Sequence, residues 1–292
     1  MTVPAAGSSH LPLAFLILGQ RVHVECADAA LSRVVAANFD AMAASADGGS
    51  DLRYRILEDA AAGTFSLACE GAVVEDGLEP DDLLFALEKS LTVELQRRRA
   101  DLFFLHAAAV ERGGVAFLLA AESGSGKSTT AWGLLHHGFR YLSDELSPVD
   151  VEALRVHAYP HALCLKHDPP VPHALPPATL RLGRTRHVPV AHLPAAAILE
   201  PRALGAVFLV THRPGGEPAL RPVAPAEAGA RLYVTALNAL AHPNRGLSAA
   251  ARIAERVPCF ELVSAGLDAT SALVRETVDD VLRAHQGRRF EG

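Results

Sequence analysis

The chain has 292 residues, enough for one large domain or two modest ones. Half of them are hydrophobic and about a fifth are charged, the balance of an ordinary globular protein, and the net charge is −6. The basic runs Arg97-Arg98-Arg99 and Arg288-Arg289 are too short to track a nucleic-acid backbone, so nucleic acid is excluded as a partner. Cys26, Cys69, Cys164 and Cys259 form no CxxC pair and suit small core residues, not zinc ligands or a redox motif. The apolar run Leu11–Leu18 has no basic segment before it and is too short to span a bilayer. This predicts a cytoplasmic protein with no membrane partner.

In chain order, Leu13–Leu18 and Val22–Cys26 read as strands joined by Gly19-Gln20. Helical spacing comes next, over Leu31–Met42, then a second strand pair, Arg53–Leu57 and Thr64–Cys69. Pro80-Asp81 opens a helix with Leu84, Leu87, Leu91 and Leu95 on one stripe, which reads as a connector between this region and the rest of the chain. Residues 1–100 are therefore expected to form a smaller N-terminal α+β domain, and 101–292 a second domain. The second begins with the apolar run Leu102–Val110, separated by Gly113-Gly114 from another, Val115–Ala120. Two such neighbours predict an antiparallel strand pair.

After that second run the chain reads Ala121-Glu-Ser-Gly-Ser-Gly-Lys-Ser-Thr129 and then Ala131-Trp-Gly-Leu-Leu135. Strand, glycine-rich turn and helix in that order are the context of a phosphate-binding P-loop. Gly124 and Gly126 let successive N–H groups of Ser123–Thr129 point into one anion hole, and the helix N-terminus adds its positive end. Lys127 then reaches the β/γ-phosphates, and the Ser128 hydroxyl is placed for Mg²⁺. Ala121 stands where the pattern usually has glycine. A dinucleotide fingerprint fits less well, because its third glycine falls on Thr129. The cofactors expected are ATP and Mg²⁺.

Gly138 caps the P-loop helix, and Phe139–Leu142 is the next strand, running into Ser143-Asp144-Glu145. A P-loop enzyme needs a carboxylate at the end of a neighbouring strand for its metal, and Asp144-Glu145 supplies two. No guanine-reading Asn/Thr-Lys-x-Asp and no Leu-Ser-Gly-Gly signature occurs, against a GTPase and a transporter-type ATPase. Pro160–Pro201 is rich in proline and histidine and reads as an irregular, partly mobile segment over the site. His157, His161 and His167 lack metal-ligand spacing and read as solvated, and Lys166, at the end of a short apolar run, reads as a surface lysine or as a contact to phosphate or acceptor. A buried strand at Ala206–Thr211, helices near Ala226–Leu240 and Ser248–Arg256, a strand at Cys259–Val263 and a final helix near Asp268–His285 complete the pattern. Arg245, between two of those helices, reads equally as a phosphate-charge stabiliser or a loop residue.

Three stretches together, Leu105-His-Ala-Ala-Ala-Val110, Ser123-Gly-Ser-Gly-Lys-Ser128 and Gly138-Phe-Arg-Tyr-Leu-Ser-Asp-Glu145, resemble the C-terminal catalytic domain of HPr kinase/phosphorylase. They are closer still to its shorter HPr kinase-related relatives, some of which occur in peptide-maturation pathways. The resemblance covers Leu102–Leu165 well and the remainder in outline. It implies an α/β P-loop kinase core related to the phosphoenolpyruvate carboxykinases, transferring the ATP phosphoryl group to a serine hydroxyl. By position it implies Asp144 as the catalytic base, Glu145 and Ser128 as metal ligands, His106 as the support of the catalytic acid, and Lys127 on the phosphates. It also makes a homo-oligomer plausible, since the family assembles through this domain.

Two departures stand out. The family's paired aspartates are here Asp144-Glu145, and its Arg-Gly-rich segment is replaced by Tyr159-Pro-His-Ala-Leu-Cys-Leu-Lys166. That segment is associated with phosphorolysis, so a kinase without appreciable phosphorylase activity is expected. Its acceptor is a protein or peptide hydroxyl. An ATP-binding adaptor of a biosynthetic assembly and a small-molecule kinase remain the alternatives.

Overall fold

The computed structural model describes residues 12–290, with side chains as far as residue 284. Leu11 and the Arg288-Arg289 side chains lie outside the described residues. The described residues form a mixed α/β structure with three sheets.

The first sheet opens with the hairpin β1 (Leu13–Ile17) and β2 (Gln20–Cys26). Its turn is Leu18-Gly19, both at positive φ (50° and 80°), the pair of left-handed residues whose twist matches a two-residue hairpin. Asp28 caps α1 (Ala29–Asn38) by accepting from the N–H groups of Ala30 and Leu31, and the helix carries the chain across to β3 (Leu52–Asp59), parallel to β2. Antiparallel β4 (Thr64–Cys69) and β5 (Ala72–Leu78) complete the order β1-β2-β3-β4-β5. No sequence pattern points to β5, because this edge strand is largely exposed on both faces and lacks alternation.

Helix α2 (Pro80–Arg98) starts with proline and two aspartates and ends with arginines, as its dipole favours. It is more than a connector. Leu83, Leu87, Leu91 and Leu95 are buried in the same apolar cluster as the first sheet, whereas Phe85 and Val93 remain exposed. Phe104, Leu146 and Tyr159, from beyond residue 100, belong to that cluster too.

The run Leu102–Val110 is two strands instead of one: β6 (Phe103–Leu105) and β7 (Ala107–Arg112). The break falls at His106, whose N–H donates to the Thr235 carbonyl (2.8 Å). β7 pairs antiparallel with β8 (Val115–Ala120), as expected, and with β9 (Arg140–Ser143); β6 pairs with β10 (Ser147–Asp150). The P-loop helix α3 (Lys127–His136) lies between β8 and β9 and stops before Gly138, at φ 85°. Trp132 on α3 is buried, and its indole N–H donates to the His173 carbonyl (2.9 Å).

Strand β11 (Arg155–Val156) precedes a small antiparallel sheet of β12 (Leu163–Leu165), β13 (Leu180–Leu182) and β14 (Thr185–Val188). The three strands take up ten residues of Pro160–Pro201; most of the remainder is turn and irregular chain, as expected. Leu163, Leu165 and Val188 are buried in one cluster with Trp132, Leu134 and Leu135, and that burial orders the stretch despite its prolines. Strand β15 (Arg202–His212) runs parallel to β8 on one side and, after β16 (Ala219–Pro222), α4 (Pro225–Val234) and α5 (Leu247–Arg256), to β17 (Cys259–Ser264) on the other. Helix α6 (Leu267–Phe290) ends the described chain.

The large sheet has the order β6-β10-β11-β15-β8-β7-β9, with β17 and β16 added alongside β15. Alternate residues of β8 serve opposite faces. Ala116, Leu118 and Ala120 pack with α4 and α5, while Phe117 and Leu119 pack with α3 and α6. The P-loop strand is thereby fixed from both sides.

Helices α3 and α6 touch at Gly133, where an added Cβ meets Ser271 Oγ at 2.5 Å and Leu267 Cδ1 at 2.6 Å. Gly133→Val is expected to lower unfolding free energy by about 1–3 kcal/mol, measured by urea denaturation, through overpacking of this contact.

Candidate active site

Strand β8 delivers the loop at Ala120 and α3 takes it over at Lys127. Gly124 and Gly126 stand at φ 86° and 85°, so both bends of the loop use conformations that other residues rarely adopt. The Ser125 N–H donates to the Glu122 carbonyl (3.2 Å), and the Gly126 carbonyl accepts from both the N–H and the hydroxyl of Thr130 (2.8 Å each). Ser123 sits exposed at the rim; Ser128 and Thr129 are half-buried in the first helical turn.

Lys127 is only 4% exposed. Its Nζ lies 3.2 Å from Glu145 Oε1 and 3.1 Å from His106 Nε2, and that same Nε2 is 2.5 Å from Glu145 Oε2. The shorter contact fits an Nε2–H donating to the carboxylate. Burial raises the Glu145 pKa, but the hydrogen bond from His106 and the Lys127 charge outweigh it and hold the group at about 2.

Asp144 is buried and faces the other way. Its Oδ1 accepts from the Ser128 hydroxyl (3.0 Å) and its Oδ2 from the Cys164 N–H (3.2 Å). Burial, followed by the Glu145 charge, raises its pKa; Lys127, His161 and Ser128 pull it down by less. The two carboxylates diverge because Glu145 has φ 62° and the Leu146 N–H reaches back to the Asp144 carbonyl (2.6 Å), closing a three-residue turn. For a residue with a Cβ this backbone is strained.

The strained turn is supported from outside the P-loop. His161 Nε2 donates to the Asp144 carbonyl (2.8 Å), and its Nδ1 lies 3.2 Å from Glu88 Oε1 on α2. Glu88 Oε1 also accepts from Asn38 Nδ2 on α1 (2.8 Å). Burial works against a charged His161, but Glu88 outweighs it and pushes the pKa up to about 9, while Glu88 itself is held below its ordinary value by His161 against the opposing effect of burial.

His106, Glu145, His161 and Glu88 line a cavity of about 1160 Å³. His106, Glu145, His161 and Cys164 lie at its base, α2 and the β13–β14 hairpin wall it, and Ser123 and Lys166 border it. Lys166 Nζ donates to Ser123 Oγ (2.9 Å), which brings a second ammonium to the phosphate loop.

The structure brings His106, Lys127 and Glu145 within hydrogen-bonding reach of one another, and Ser128 within reach of Asp144. It also corrects one reading: His161 is buried and ion-paired, not solvated, because α1 and α2 pack over the segment that carries it. Glu88 and His161 were missed as parts of the site, and the one signal for His161 was the unusual segment Tyr159–Lys166; Lys166 is the exposed lysine expected, and it does border the phosphate-loop region. His157 is half-buried and His167 exposed; His137 pairs with Asp268, which also receives His173. Arg245 is not among the residues of this cavity. Among the described residues no group of three or more His, Cys, Asp or Glu side chains is arranged to hold a metal ion, and no helix is long and apolar enough to cross a membrane.

No protein-family model matches the chain, and no curated protein does. Among solved structures it is similar to the HPr(Ser) kinase/phosphatase from Coxiella burnetii, at 12% identity and a TM-score of 0.35, over 64% of this chain and 95% of that one. At that score the likeness is a distant one, and it carries no argument about residues or chemistry.

The buried pair sets a pH window. Folded His161 keeps its proton to about pH 9 against 6.5 ordinarily, so its contribution to stability is complete below about 6.5 and disappears as the pH rises through 9. Glu88, with its pKa lowered from 4.5, contributes above that value and ceases to as the pH falls through its folded pKa. The urea midpoint should therefore decline between about pH 6.5 and 9, and this slope should be much reduced in His161→Gln. A slope equal in both proteins contradicts the assignment.

Proposed function

We propose that this protein is a Mg-ATP-dependent phosphotransferase whose acceptor is the hydroxyl of a protein or peptide. One observation carries the reading. A P-loop lysine, a P-loop hydroxyl bonded to a buried carboxylate, and a carboxylate–imidazole pair facing a cavity are gathered in a single cluster. Phosphoryl transfer needs those parts: a cation on the phosphates, hard oxygen ligands for a metal, and a group to take the acceptor's proton.

The donor set fits Mg²⁺. Ser128 Oγ and Asp144 are oxygen donors already in contact, the pairing that P-loop enzymes use. Bound there with ATP, the metal would neutralise charge on the β- and γ-oxygens. Lys127 binds the same phosphates, and the backbone N–H groups of Ser123–Thr129 receive them at the start of α3.

Asp144 and Glu145 then exchange the roles that the resemblance implies. Asp144 has the raised pKa that suits a base, yet it is fully buried behind Ser128 and Cys164, out of an acceptor's reach. Glu145 is 44% exposed and faces the cavity beside His106. Access decides ahead of pKa. Its low pKa depends partly on Lys127, and a lysine turned to phosphate no longer holds it down so firmly. Glu145 takes the proton as the acceptor oxygen bonds to the γ-phosphorus, the bond from that phosphorus to the β-phosphate oxygen breaks, and ADP leaves. His106 orients Glu145 throughout.

The cavity supports a peptide or protein acceptor over a small molecule. It is larger than the roughly 300–1,000 Å³ of most small-molecule pockets, and its α2 wall offers the exposed side chains of Phe85 and Val93.

Lys127→Ala should weaken ATP binding at least about tenfold, or about 1.4 kcal/mol, by calorimetric titration. Unchanged affinity in the folded variant removes the P-loop from the mechanism. Glu145→Gln should leave Mg-ATP binding in place and lower turnover by a factor on the order of 10² or more, whereas Asp144→Asn should abolish the enhancement of ATP binding by Mg²⁺. The opposite pattern in metal titration and turnover restores Asp144 as the base.

A further inference from the structure

We propose that Glu88 and His161 are positioning residues for the Asp144–Glu145 turn, so that helix α2 of the N-terminal sheet unit takes part in phosphoryl transfer. This rests on the phosphotransferase reading above.

The turn is strained, and its geometry separates a metal-facing carboxylate from a cavity-facing one. Its backbone is held through a single atom, the Asp144 carbonyl oxygen, which accepts from Leu146 within the turn and from His161 outside it. His161 can aim Nε2 at that oxygen only if its ring is held, and the Glu88 carboxylate, 3.2 Å from Nδ1, holds it by charge and close contact. Glu88 is oriented in turn by Asn38, whose own backbone carbonyl accepts from the Ala162 N–H (2.7 Å). Helices α1 and α2 therefore grip the segment at residues 161 and 162. Two residues further on, the Cys164 N–H holds the Asp144 carboxylate. Loss of the Glu88 contact frees the ring, and a carbonyl that rotates even slightly carries both carboxylates away from the phosphate loop. Misplacement of about 1 Å in a phosphoryl-transfer site costs up to about 10²-fold in rate.

The test uses the full chain, ATP binding with and without Mg²⁺, and phosphate release with water as acceptor. Glu88→Ala is expected to lower kcat roughly tenfold or more while metal-free ATP affinity stays within about twofold, and Glu88→Gln, which still accepts from Asn38 and keeps an oxygen beside His161 Nδ1, to recover most of the loss. Tyr54→Phe removes a different bond between the N-terminal sheet and α2, to Ser90, and is expected to lower Tm without moving kcat. Wild-type kcat in folded Glu88→Ala, or an equal loss in Tyr54→Phe, overturns the proposal. If Glu88→Ala does not fold, Asn38→Ala decides: a several-fold fall in kcat at unchanged ATP affinity supports it, and wild-type kcat overturns it. A wild-type protein that binds no Mg-ATP refutes the phosphotransferase reading itself and takes this proposal with it. Normal wild-type binding and turnover, matched in every variant, refutes the positioning role alone.

Discussion

A lysine ammonium with 4% of its surface in contact with solvent must be met by opposite charge, and Lys127 imposes that condition on everything around it. Glu145 meets it through a backbone conformation that residues with side chains seldom adopt. His106 joins them, and it stands where a continuous strand is interrupted. The broken strand, the strained turn and the buried cation are three aspects of one electrostatic requirement.

That requirement explains which parts of the site were legible in the sequence. The strand, glycine turn and helix around Lys127 were, because Gly124 and Gly126 serve a local backbone need and the flanking runs fix strand and helix. The nearness of Asp144 and Glu145 was legible too, since one helix and one strand bring them back to the loop. Their division of labour was not. It depends on the sign of φ at Glu145, and nothing in an Asp-Glu dipeptide announces a left-handed residue. Glu88 and His161 are far apart in the chain, and a pair of that kind leaves no periodicity to read.

The fold itself divides in the same way. Strands with one buried face, such as β3 and β4, and the leucine stripe of α2 stand out in the sequence because burial imposes alternation or a helical period. β5 does not, since neither of its faces is covered. The sheet of β12, β13 and β14 was hidden by its prolines, and its order comes from Leu163, Leu165 and Val188 packing on the P-loop helix. The sequence pattern suggests a division near residue 100, and Phe104, Leu146 and Tyr159 from beyond it join the apolar cluster of the first sheet.

The same packing provides the molecule with an optical reporter. Trp132 is the single tryptophan of the chain, and it lies buried on the helix that begins at Lys127, bonded to the His173 carbonyl. Ultraviolet emission excited at the red edge of protein absorption originates from that one indole. Its wavelength and quenching follow the seating of the phosphate-loop helix, without a dye or an engineered label.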